Sequence, residues 1–78
     1  MRLSREQRRA LKMLADTPGG VSEEVLVVAH GFSSEILAGL VLAGLAAAVT
    51  ETRNVRRDLT IEIERIRITT AGRRALEG

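Results

Sequence analysis

Seventy-eight residues carrying a formal net charge of +2 and a single aromatic side chain, Phe32, exclude a large core and require one built from aliphatic residues. The absence of Cys excludes a disulfide framework and a thiolate metal site and fits the cytoplasm. Met1-Arg2-Leu3-Ser4 leads into a charged segment and not an apolar leader, and the uncharged run Ile36–Val49 is shorter than the roughly 20 residues a spanning helix needs, so a soluble chain is expected.

One domain over 1–78 is expected, and for so small an aliphatic core self-association into a homodimer is a reasonable expectation. The charge is segregated along the chain. Arg2, Arg5, Arg8, Arg9 and Lys12 stand near the start, no Lys or Arg occurs from Met13 to Thr52, and Arg53, Arg56, Arg57, Arg65, Arg67, Arg73 and Arg74 follow. Arg suits bidentate contacts to phosphate or carboxylate, although a solvated surface has the same composition.

Ser4 and Gln7 have capping-box spacing and predict a helix from Arg5. Leu3, Gln7, Ala10, Leu11 and Leu14 form its apolar stripe, with Arg5, Arg8, Arg9 and Lys12 opposite and Asp16 one turn beyond Lys12 as a partner. Thr17-Pro18-Gly19-Gly20 ends the helix. Val21 is placed to make an isolated strand contact. Ser22 caps a second, short helix, Glu23–His30, with acidic residues in its first turn and Gly31 behind it; Val25–Ala29 is equally compatible with a buried strand.

Ser33 or Ser34 opens a third helix that Gly44 ends. Ile36, Leu37, Leu40 and Val41 face inward, while Glu35, Ala38, Gly39 and Leu42 face outward. Leu45–Thr52 and Leu59–Thr69 read as two strands joined by a loop near Arg53–Asp58. Thr60–Glu64 and Ile66–Ile68 alternate out of phase, which predicts a bulge near Glu64-Arg65. Glu62 and Glu64 read as a solvated strand face, with Arg across from them. Thr69 caps a final helix, Thr70–Glu77, whose Ala71, Ala75 and Leu76 can pack back.

The order of three helices, a two-stranded hairpin and a short terminal helix is that of an α+β winged helix. Gly31-Phe32-Ser33, Gly44-Leu45 and Ile68-Thr69-Thr70-Ala71-Gly72-Arg73-Arg74-Ala75-Leu76 resemble the multiple-antibiotic-resistance and phenolic-acid-responsive repressors of the winged helix-turn-helix superfamily. The resemblance covers Ser4 to Leu76. It implies that the serine opens a recognition helix, that Gly-Leu turns the chain into the wing, and that the threonine caps the helix after the wing. It also implies transcription regulation through DNA. Two departures accompany it: the segment from Ser33 to Gly44 is about one turn short, and the long terminal helices of those repressors have no counterpart here, so their dimer geometry is not carried over.

A recognition helix in the major groove needs outward hydrogen-bonding side chains. This one offers Ser33, Ser34 and Glu35, then Ala38, Gly39 and Leu42, so weak base readout is expected. Arg53, Arg56 and Arg57 at the wing tip, helped by Arg5 and Arg9, instead suit backbone contacts that weaken with salt. The competing reading of the tip is a charged loop that keeps an edge hairpin soluble. A second class of function is a protein-association module without DNA binding, using Ala38, Gly39 and Leu42 as a smooth outward patch for a second copy. His30 has no companion ligand, so no metal is expected, and no cofactor motif, small-molecule substrate site or catalytic pairing is present. An enzyme is not expected.

Overall fold

In the computed structural model, which describes residues 2–78, the chain is a small α+β protein. It has α1 (Arg5–Ala15), β1 (Val21–Ser22), a π-helical segment (Val25–Ala29), α2 (Ser34–Leu42), β2 (Ala46–Arg56), β3 (Leu59–Ile68) and α3 (Thr70–Glu77). The strands form an antiparallel sheet in the order β1-β3-β2. The sheet therefore has three strands, the expected hairpin joined by β1, which makes the strand contact expected at Val21 and extends it to Ser22. Val21 pairs with Ile66 and Ser22 with Arg65, because the Thr17–Gly20 turn returns the chain to the edge of β3.

The local signals act as their chemistry dictates. Ser4 and Gln7 complete a reciprocal capping box, with the Ser4 hydroxyl accepting from the Gln7 amide at 3.1 Å and the Gln7 carbonyl accepting from the Ser4 amide at 2.9 Å. Leu3, Ala10, Leu11 and Leu14 are buried, as the stripe requires. Lys12 and Asp16 form no ion pair, however; among the described residues both salt bridges converge on Glu51. Arg8 is half-buried because its guanidinium donates to the Leu76 carbonyl at 3.4 Å, where α1 packs on α3.

Ser22 does open the second helix, accepting from the Val25 amide at 3.3 Å. Val25–Ala29 is wound as π-helix and not α-helix, closed by the His30 amide donating to the Val25 carbonyl at 3.2 Å. The wider turn still carries Leu26 inward, and the Phe32 amide reaches back to the Leu26 carbonyl.

The end of α2 is a Schellman motif. The Gly44 amide donates to Val41 at 3.0 Å and the Leu45 amide to Leu40 at 2.9 Å, with Gly44 at φ +78°. Leu40 and Leu45, which this closure brings together, are both buried. Thr69 then fastens the far end of the sheet to the same corner. Its hydroxyl donates to the Gly44 carbonyl at 2.6 Å and accepts from the Gly72 amide at 3.1 Å, capping α3.

The hairpin departs from expectation in two ways. No register shift occurs at Glu64-Arg65; pairing runs unbroken from Ala46↔Ile68 to Asn54↔Thr60, and the shift lies between Asn54 and Arg56. The out-of-phase isoleucines are real neighbours on opposite faces. Ile66 and Ile68 bury against the helices, whereas Ile61 stands 39% exposed on the other face, beyond the bundle. The bulge sits near the tip because Arg57-Asp58 forms a tight turn in which no residue has positive φ. An unprimed turn splays twisted strands, and an extra residue absorbs the mismatch. The second departure is that Arg53 and Arg56 belong to β2, leaving only Arg57-Asp58 as the connection.

Candidate nucleic-acid interface

The residues singled out from the sequence divide into three places. The first is the junction of α1 with the start of α2. The Arg9 guanidinium lies 5.4 Å from the centre of the Phe32 ring, and His30 stacks near the same ring at 6.5 Å between centroids. Phe32 immediately precedes the α2 N-cap, so Arg9 is held alongside the start of that helix. Arg5, one turn earlier on α1, is exposed. Ser33 is engaged in capping, its hydroxyl accepting from the Ile36 amide at 3.1 Å. Ser34, the first residue of α2, is exposed and makes no side-chain hydrogen bond to another described residue.

The second place is the hairpin tip. From Ala48 to Glu62 every residue is exposed except half-buried Glu51, so this part of the hairpin is a ribbon without a core. It accounts for the elongated shape, 47 × 23 × 21 Å. Arg56, opposite Leu59, and Arg57 in the turn lie at its end, and neither makes an ion pair with a described carboxylate.

Arg53 does not join them. Its guanidinium is 3.2 Å from the Glu51 carboxylate, two residues back along the same strand face. Arg65, 3.3 Å from the same carboxylate, also donates to the Gly20 carbonyl at 3.2 Å. This pair of contacts locks the loop before β1 to the middle of β2. Sequence reasoning missed Arg65 as a tether; the Glu51-x-Arg53 alternation on one strand face was the available signal. Glu62 and Glu64, expected to face Arg, instead stand opposite Thr52 and Thr50.

The third place is the outward face of α2. Leu42 is 88% exposed, Ala38 is exposed, and a Cβ added at Gly39 would meet nothing within 4 Å. Ile36 and Val41 are half-buried, Leu37 and Leu40 fully buried, so the two faces of the helix divide as the spacing requires.

Comparison with protein-family models, with curated proteins and with solved structures gives no match. Among the described residues no helix is long and apolar enough to cross a membrane.

Proposed function

We propose that this chain is a winged-helix regulatory protein that associates with duplex DNA mainly through the tip of its hairpin, with phosphate contacts added by α1. The observation that carries this reading is the projecting ribbon, which buries no residue of its own from Thr52 to Glu62 and ends in Arg56 and Arg57, free of carboxylate partners among the described residues. An isolated two-stranded ribbon is marginal in water, and one ending in guanidinium groups suits a groove edge lined by phosphate. Arg9, beside the start of α2, and Arg5, exposed one turn earlier on α1, supply a second set of cations. Ser34 at the N-terminus of α2 adds a hydroxyl for a backbone oxygen. Readout of base sequence by α2 is weak, because the outward side chains beyond Glu35 are Ala38, Gly39 and Leu42.

The test is binding to a duplex of mixed sequence across a salt series. The protein binds at low salt and loses affinity steeply as salt rises, and Arg56→Ala with Arg57→Ala flattens that dependence by about two counterions. A slope unchanged by the double substitution contradicts the reading.

A second reading is favoured by Leu42. An apolar side chain 88% exposed beside Ala38 and open Gly39 suits a protein-association module that uses α2 for homodimerisation and does without DNA. Sedimentation of the Leu42→Ser variant separates the two, since only this second reading makes the oligomer depend on α2.

A further inference from the structure

β2 is an edge strand over its whole length. The sheet order is β1-β3-β2, so one side of Ala46–Arg56 pairs with β3 and the other side has no partner among the described residues. Such an edge presents a row of unpaired amides and carbonyls, and proteins commonly blunt it with charge. The charges on this edge are arranged in a way that selects a partner.

Odd-numbered residues of β2 up to Arg53 share the face turned away from the helices, and even-numbered residues share the helix side. A second copy lying antiparallel along β2, with its helices on the same side of the sheet, must place odd residues opposite odd and even opposite even. With Thr52 opposite its own copy, Glu51 stands opposite Arg53 of the other chain and Arg53 opposite Glu51. Thr50 stands opposite Asn54. Sliding by one allowed step in either direction sets Glu51 against Glu51 or Arg53 against Arg53. Like charges directly opposite oppose pairing, whereas opposite charges and Thr–Thr contacts favour it. The bulge between Asn54 and Arg56 ends the ladder just where the complementary residues stop.

We propose that two copies of this chain pair through β2, antiparallel about Thr52, to form a continuous six-stranded sheet. The Glu51 carboxylates then sit between Arg53 and Arg65 of their own chain and Arg53 of the other. This surface is separate from the α2 face and does not depend on DNA binding.

Sedimentation of three proteins tests it. The unaltered chain is a dimer at high micromolar concentration. Glu51→Arg alone and Arg53→Glu alone weaken the dimer by about tenfold or more, because each sets like charges opposite at both symmetry-related positions. An equimolar mixture of these two variants restores a dimer, since each Arg then meets Glu of the other chain. This recovery cannot arise from a folding defect. Thr52→Cys supplies the only cysteine and forms an interchain disulfide on mild oxidation, while Thr60→Cys on β3 does not. A chain that stays monomeric, a dimer indifferent to both charge reversals, or a mixture no more associated than its components overturns the proposal.

Discussion

The Arg9 guanidinium rests 5.4 Å from the centre of the Phe32 ring, which joins the exposed side of α1 to the residue just before the α2 N-cap. The only aromatic side chain of the protein is thereby both a core residue, 5% exposed, and a platform for a cation. Arg9→Ala removes that contact and is expected to lower stability by about 0.5–1 kcal/mol, the usual size at an exposed site. Urea unfolding of Arg9→Ala beside Arg5→Ala measures it, because Arg5 makes no contact of this kind.

Two glycines in helices have opposite expectations. A Cβ at Gly72 would press on the Leu45 carbonyl oxygen and lie 2.7 Å from Ile68 Cγ1, so Gly72→Ala has to separate α3 from the β2 corner. A loss of about 1–3 kcal/mol or more is expected. At Gly39 a methyl group meets nothing, and Gly39→Ala is expected to gain about 0.5–1 kcal/mol through helix propensity. Thermal or urea melts of the two variants settle both signs.

Thr69 joins three elements through one hydroxyl. Thr69→Val keeps the shape but loses both the 2.6 Å bond to the Gly44 carbonyl and the 3.1 Å bond that caps α3. A cost of about 1–2 kcal/mol follows. Faster exchange of the Gly72 amide in the variant would locate the loss at the cap.

Ser33 carries a structural duty that limits what a binding assay can say of it. Its hydroxyl caps α2, so Ser33→Ala lowers stability by about 1 kcal/mol whether or not DNA is bound. Ser34→Ala has no such effect on stability. A loss of DNA affinity in Ser34→Ala at unchanged melting temperature therefore isolates a backbone contact at this end of α2.

Much of the helical part was legible because its signals are local. Ser4 with Gln7, Ser33 before Glu35 and Thr69 before Gly72 each satisfy backbone donors a few residues away, and Gly44 supplies a conformation that few other residues adopt cheaply. The sheet was less legible because its determinants are distant. That Val21 reaches Ile66 depends on a turn and a tether from Arg65 to Gly20, which no window of sequence contains. The phase change among the isoleucines was visible, but its cause was misread. The strand does not bulge there; it leaves the bundle, so full burial of Ile66 and Ile68 on the helix side gives way to half-burial of Ile63 on the other face and then to exposure from Glu62 to the tip. Of the candidate interface, Arg56 and Arg57 stand at the tip as expected, while Arg53 is drawn to Glu51, two residues back on the same face of β2, a local pairing hidden by reading Arg53–Asp58 as a loop.

The measurement closest to the central claim is the salt dependence of duplex binding for the unaltered chain, for Arg56→Ala with Arg57→Ala, and for Arg53→Ala. The account predicts steep salt dependence, a slope reduced by about two in the tip variant, and a smaller change in Arg53→Ala because that guanidinium is held by Glu51. No binding at low salt, or a tip variant that binds like the unaltered chain, contradicts it.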